Sequence, residues 1–565
     1  MKKKRPTTSS DRRVVRIDGD SLTLEDVLAV ARGGARVELS DDPAVRGRIE
    51  TSLRLNRELI AAGVPVYGVT TGVGDSVGRQ IAPGRAALMQ TYLMRLNGCG
   101  TGPTLPVDYA RAVVLVRANC LAKGYSAVRP VLIERLLDLL NEDYVPAIPE
   151  QGSVGASGDL IPGSYIAAAL MGERTVLHDG RELPSAAAWE ALGKEPIVLA
   201  EKEGLALVNG THLMAGIAAL TLLDAERVAR VADICTAMLC EALTGIVSAF
   251  HPFISDVKPH AGSVRSAAAI RALLETSALV RPYDSAIGAA GKMDERTGYR
   301  ELSVKIQDNY SLRCAPQCIG ALYDTIAWAR QWLTTEINSA NDNPLYDVAN
   351  HQVHSGGNFA GFHVALAMDT LKTAVASIGD LLDRQFELMV DEKFNNGLTP
   401  NLIAPLPDDH PEKGIYHGFK GAQLAISALA AEALSKCMPL TVFSRSTEAH
   451  NQDKVSMGAI AARQARDVTE LVERCAAIHL LGACQAADLR GADKLGGTRA
   501  AYDRIRAVSP FVERDRELQA DIYAVTAMIH TGALLDALGA PAAETSGTSG
   551  APGAEGEEVS GHARA

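Results

Sequence analysis

A chain of 565 residues exceeds what one hydrophobic core usually supports, which points to two or more cores or to a long bundle. With 47% hydrophobic, 22% charged and only 5% aromatic residues it has an ordinary globular make-up, and its alanine and leucine favour helix over sheet. The formal net charge of −11 argues against a nucleic-acid partner, and apolar runs such as 165–171 are far too short to span a bilayer.

The opening Lys2-Lys3-Lys4-Arg5 reads as a solvated tip, and residues 1–15 as a disordered arm. Nothing after it resembles the apolar stretch of a secretory signal, so a cytoplasmic location is expected. Residues 16–212 are expected to form an N-terminal domain. Short helix and strand signals, such as the run at 26–30, mix over 20–65, and glycines crowd 67–105 as in a loop-rich region. Helices are predicted over 108–121 and 131–141; Pro146 and Pro149 end the second and deliver the chain to a loop at 150–160.

From 213 to 540 the pattern changes to long apolar stripes of helical period, at roughly 213–250, 315–340, 358–392, 418–438 and 456–490. Leu213, Ile217, Leu220, Leu223 and Val228 show the spacing. Helices of this length joined by shorter links predict an elongated bundle, with apolar faces that also suit burial against sister subunits. Residues 541–565 are rich in Gly, Ala, Ser, Thr and Glu and read as a disordered tail. The nine scattered cysteines are expected to be mostly free, buried thiols. Cys314 and Cys318 could share a helix face, but no His or Asp cluster accompanies them, and no metal is expected.

The most informative segment lies in the 150–160 loop, where Ala156-Ser157-Gly158 stands among Gly152 and Gly155. In isolation such a triplet is a turn. Its second reading is chemical: the nitrogen of Gly158, unhindered by a Cβ, can approach the carbonyl carbon of Ala156. Closure with loss of water gives a five-membered ring, and dehydration of Ser157 leaves an exocyclic methylene. Such a group is an electrophile, which no ordinary side chain provides.

Other segments carry unusual content at loops or helix ends. They are Tyr67-Gly68-Val69-Thr70-Thr71-Gly72-Val73-Gly74, Asn209-Gly210-Thr211, Gln307-Asp308-Asn309-Tyr310-Ser311-Leu312-Arg313, Gly356-Gly357-Asn358-Phe359 and His450-Asn451-Gln452-Asp453. Singly they read as glycine turns, caps and a surface arginine. Together, and in this order, they resemble the aromatic amino acid ammonia-lyases and 2,3-aminomutases, a family that includes histidine, phenylalanine and tyrosine ammonia-lyases. The resemblance runs over about 26–529.

That resemblance implies a mainly α, fumarase/aspartase-like fold, in which an elongated central bundle accompanies a smaller, loop-rich N-terminal domain bearing the site. It implies a 4-methylidene-imidazol-5-one (MIO) formed autocatalytically from Ala156, Ser157 and Gly158, with no external cofactor. It implies a homotetramer whose active sites are each assembled from three subunits. By the same resemblance Tyr67 takes the β-proton, Arg313 holds the substrate carboxylate, Asn209 and Tyr310 flank the MIO, and Phe359 stands at its wall. Gly68 and Gln307 are expected among the substrate-binding residues. A free phenol titrates near about 10, so the surroundings of Tyr67 must stabilise phenolate, for instance through helix N-termini.

The implied activity is elimination of ammonia from an aromatic L-amino acid to give a trans-arylacrylate. Alternatives are a 2,3-aminomutase giving a β-amino acid and a histidine ammonia-lyase giving urocanate. The pair that reads the ring in the family is here Leu96 and Asn97, which matches none of the familiar pairs. Leu96 offers an apolar wall, and Asn97 either a partner for a para-hydroxyl or a contact with loop backbone. Gln452 stands where histidine lyases carry a glutamate. A neutral amide there favours phenylalanine or tyrosine over histidine.

Overall fold

A computed structural model describes residues 13–538 apart from 295, 297 and 303. It is 57% helical, so the chain is mainly α. The named strands among the described residues form only two- and three-stranded sheets. The expected tail at 541–565, and the expected arm up to residue 12, lie outside the described residues. The strand Val14–Ile17 reaches into what was expected as arm, because Val15 and Ile17 are buried and the strand pairs in parallel with Arg36–Leu39.

Five long helices follow the five apolar stripes: His212–Ala242, Ala315–Ile337, Phe362–Val390, Lys420–Ser435 and Gly458–Arg490. The two largest overruns are of the first and third stripes. The first stops at Ala242 because Thr244 turns left-handed, at φ +48°. The third starts only at Phe362, after a stretch over 358–361 of turn and irregular chain that ends on Gly361 as N-cap. The helix His212–Ala242 is buried on nearly every side and so forms the axis of the bundle. Against it pack Val107–Ala122, Ala315–Ile337, Phe362–Val390 and Gly458–Arg490. Among the described residues no helix is long and apolar enough to cross a membrane. All nine cysteines are free, and five of them are buried.

The helices Val107–Ala122 and Pro130–Asn141 match the two predicted in this region. Pro146 and Pro149, expected only as terminators, also sit in short strands: Val145–Pro146 pairs with Thr175–His178, and Pro149–Gln151 with Thr101–Thr104. The second ribbon launches the 150–160 loop. Its Glu150 is buried and bound to Arg466 at 2.7 and 3.1 Å, which ties the root of the loop to the Gly458–Arg490 helix.

Candidate functional site

The loop that carries Ala156-Ser157-Gly158 is gripped from two sides. On one side the nitrogen of Met457 donates to the carbonyl of Val154 at 3.0 Å. On the other, Gly210 lies alongside as a parallel bridge: its nitrogen donates to the Ser157 carbonyl at 3.0 Å, and its carbonyl accepts from the nitrogen of Asp159 at 2.7 Å. Gly155, Ser157 and Gly158 all have positive φ, +77°, +49° and +78°. For Ser157 this is a sparsely populated conformation, sustained here by its neighbours. A Cβ on Gly158 would fall 2.2 Å from the Gly210 carbonyl oxygen, so only glycine fits.

The residue after the triplet anchors the start of the axial helix. Asp159 is fully buried, and its carboxylate accepts from the Met214 nitrogen at 3.0 Å and the Ser153 hydroxyl at 3.1 Å. It thereby satisfies one of the orphan N–H groups at the start of His212–Ala242. Burial pushes its carboxyl up to about 7, against the opposing pull of those two donors.

Above the loop lies a cavity of about 260 Å³ whose walls include Tyr67, Ala156, Ser157, Asn209, Phe359 and Gln452. Six residues separated by up to several hundred positions in the chain thus meet at one place. The Gln452 amide donates to the Ser157 hydroxyl at 3.1 Å, and its oxygen accepts from the Thr447 hydroxyl at 3.1 Å. Asn209 is buried, and its side-chain oxygen has no partner. Gly158 is buried and is not among the lining residues.

Tyr67 is half-buried, and its hydroxyl accepts from the nitrogen of Gly74 at 2.9 Å. Burial raises the phenol above its ordinary value, the Gly74 N–H opposes the rise, and the charge of Glu448 adds to it. The expected stabilisation of phenolate is therefore not supplied by this chain's own fold: desolvation outweighs the single N–H directed at the oxygen. Glu448 was not singled out in the sequence, yet its carboxylate accepts from the Asp75 nitrogen at 3.0 Å and closes the loop after Tyr67. It sits in a run of three left-handed residues, Glu448, Ala449 and His450, a conformation that no glycine or proline in the sequence signals.

The remaining expected residues lie elsewhere. Gly68 is buried under the Tyr67 loop, where its carbonyl accepts from the Gln90 amide at 2.9 Å. Asn97 is buried as well, and its amide donates to the Leu93 carbonyl at 2.9 Å. That contact caps the helix Ala86–Leu96, the backbone role that the sequence also allowed for Asn97. Leu96 is 67% exposed beside Val73 and Tyr92, outside the Ser157 cavity.

Gln307 and Tyr310 are exposed, and the Arg313 guanidinium sits over the Tyr310 ring at 4.5 Å. Their segment is held at the far end of the axial helix: Asp308 accepts from the Ile246 nitrogen at 2.6 Å, and Ser311 from the Gln385 amide at 2.9 Å. That helix starts beside Asp159 and has 31 residues, so it spans roughly 45 Å. Within one chain, Tyr310 and Arg313 cannot reach Ser157.

Comparison with known proteins follows the same lines. The family model described as aromatic amino acid lyase matches residues 22–507. The histidine ammonia-lyase of Stigmatella aurantiaca is 41% identical over 92% of this chain and 97% of its own length. The tyrosine ammonia-lyase of Cupriavidus metallidurans is 40% identical over 92% and 97%. The MIO-dependent tyrosine 2,3-aminomutase of Streptomyces globisporus is 38% identical over 93% and 96%. A crystal structure of tyrosine aminomutase from that organism superposes with a TM-score of 0.87, at 38% identity, covering 93% of this chain and 98% of its own. The chain is a carbon–nitrogen lyase and belongs to the aromatic amino acid lyase family.

Proposed function

We propose that the chain eliminates ammonia from an aromatic L-amino acid, phenylalanine or tyrosine in preference to histidine, and releases a trans-arylacrylate. The observation that carries this reading is the convergence of Tyr67, Ser157, Asn209, Phe359 and Gln452 on one cavity. Identity does not choose among substrates, since relatives named for histidine and for tyrosine are 41% and 40% identical. The neutral amide of Gln452 supports an aryl ring over an imidazole, because it brings no charge to hold a polar heterocycle.

The residues present fit an MIO built from Ala156, Ser157 and Gly158. Gly158 has no space for a Cβ, Ala156 and Ser157 open on the cavity, and the buried Asn209 oxygen awaits a partner beside them. Such a group supplies an electrophile for the substrate amine, so that ammonia becomes a leaving group. The rest falls to the chain's own side chains. Tyr67 takes the β-proton on its phenolic oxygen in this reading, and Phe359 gives an apolar wall. Gln452 and Asn209 orient polar groups around Ser157.

Arg313 is the planar partner for the substrate carboxylate, and Tyr310 accompanies it. Because both stand at the far end of the axial helix, we infer that they enter the site from another copy, in a homotetramer with shared sites. A neighbouring Arg313 would also bring the positive charge that the Tyr67 phenolate lacks in one chain.

The purified protein is to be assayed with phenylalanine, tyrosine and histidine for ammonia and for ultraviolet absorbance of a conjugated acid. Urocanate alone would replace this reading by a histidine lyase. A β-amino acid formed with little free arylacrylate would replace it by a 2,3-aminomutase, the reading that the fold likeness to tyrosine aminomutase favours. No product from any of the three would overturn the lyase.

A further inference from the structure

The segment facing the Ala156-Ser157-Gly158 loop is itself backed by a buried cation. Arg117, on the helix Val107–Ala122, has no exposed surface. Its Nη1 donates to the carbonyls of Ala206 and Asn209 at 2.7 and 2.6 Å, and its Nη2 to the Asn341 side-chain oxygen at 2.5 Å. Ala206 belongs to the last turn of the helix Glu203–Val208, where carbonyls lose their helical partners, so the guanidinium satisfies the helix end and the following residue together. The Asn341 amide nitrogen donates onward to the Thr211 hydroxyl at 2.9 Å. Residues 206–211 are thus fixed by two side chains from outside the segment.

The packing leaves no slack. A Cβ on Gly210 would lie 2.5 Å from Nη2 of Arg117 and 2.4 Å from the Asn341 side-chain oxygen. A Cβ on Gly158 would lie 2.2 Å from the Gly210 carbonyl oxygen. Loop, facing segment and Arg117 therefore form three layers in contact, with space for a methyl group at neither glycine.

We propose that Arg117 is a positioning residue for ring closure in the 156–158 loop: with Asn341 it forms a fixed backstop that holds Asn209 and Gly210 against Ser157 and Gly158. The inference rests on the reading that this loop cyclises. In that step the Gly158 nitrogen bonds to the Ala156 carbonyl carbon, and the carbonyl oxygen leaves as water with the two amide protons of Ser157 and Gly158. The Ser157 hydroxyl and Cα hydrogen leave as the second water. No oxidant or reductant is needed. A backbone amide is a poor nucleophile, so the rate depends on how constantly the loop is held in a closing geometry. The guanidinium fork holds the two carbonyls on Nη1 and the Asn341 oxygen on Nη2, a division that the single ammonium of lysine cannot reproduce.

The native protein, Arg117→Lys, Arg117→Met and Asn341→Ala are compared by intact mass, thermal unfolding and turnover. An unshifted mass in the native protein overturns the cyclisation reading itself. With the native mass lower by two waters, Arg117→Met should unfold cooperatively yet hold an incompletely dehydrated population. Its dehydrated fraction and kcat should fall together by about tenfold, with KM within about twofold of native. Asn341→Ala leaves the guanidinium in place and carries the test if Arg117→Met does not fold; it should show the same paired loss, smaller in size. Complete dehydration with native kcat in folded Arg117→Lys or Asn341→Ala, whatever the fall in melting temperature, overturns the proposal.

Discussion

The amide of Gln452 donates to the hydroxyl of Ser157 at 3.1 Å, although 295 positions separate them in the chain. The Thr447 hydroxyl donates to the other end of the same amide, which fixes its orientation. Glutamate at this position could not donate to Ser157, and it would bring a negative charge to the cavity. Gln452→Glu should therefore lower kcat/KM for phenylalanine or tyrosine by about tenfold or more and raise it for histidine. Steady-state assays on the three substrates read the ratio. An unchanged ratio would remove Gln452 as the residue that selects the ring.

Tyr67 gives a prediction in pH. Burial raises its phenol above the ordinary value of about 10, and Glu448 raises it further. If Tyr67 is the base proposed above, proton abstraction needs the phenolate, so kcat/KM should climb with pH on the acid side of that value. Glu448→Gln keeps an acceptor for the Asp75 nitrogen but removes the charge, so the rising limb should move to lower pH. The stability linkage has the matching sign: a phenol held more tightly protonated in the folded state stabilises it below the unfolded value, and that contribution fades as pH rises through the folded one. Tyr67→Phe should keep the fold and lose about 10²–10⁴ in turnover. A limb unmoved by Glu448→Gln would disconnect that carboxylate from the base.

Gly158 and Ser157 should separate chemistry from packing. Gly158→Ala puts a methyl group 2.2 Å from the Gly210 carbonyl oxygen at φ +78°, and should cost about 1–3 kcal/mol of stability as well as the mass shift. Ser157→Ala lacks the hydroxyl that the second dehydration removes and adds no bulk to the loop, so it should melt close to native yet show neither dehydration of residue 157 nor turnover. Thermal unfolding and intact mass on the two variants test the contrast. Equal destabilisation of both would make the serine structural.

The five long helices were legible because sustained apolar periodicity has one structural outcome, and the errors lay at the ends, the largest at Ala242, where Thr244 turns left-handed. The triplet and the residues lining its cavity were legible as residue types in order along the chain. The particular backbone partner of Asn97 was not, since it depends on where a helix terminates and which carbonyl that leaves open at Leu93. Glu448 was hidden for a different reason: it reaches the Tyr67 loop through three successive left-handed residues, which carry no turn signature. Arg117 and Asn341 read as ordinary helix and loop positions until the fold puts one guanidinium behind Gly210.

The distance between the two halves of the proposed catalytic set makes the final prediction. Ser157 lies at the start of the axial helix and Arg313 at its end, roughly 45 Å away by the rise of 31 residues. If a second copy supplies Arg313, a chain carrying Ser157→Ala and a chain carrying Arg313→Ala are each inactive alone but complementary together. Random mixing by co-expression gives each site a native Ser157 in half the cases and a native Arg313 in half, so about a quarter of the sites should recover. The measurement is turnover of the mixed sample against the two separate variants and the native protein, with assembly size checked by light scattering. Recovery near that fraction requires a shared site. No recovery in an assembly that demonstrably contains both chains would mean that Arg313 does not serve Ser157 across subunits, and the carboxylate would need another partner.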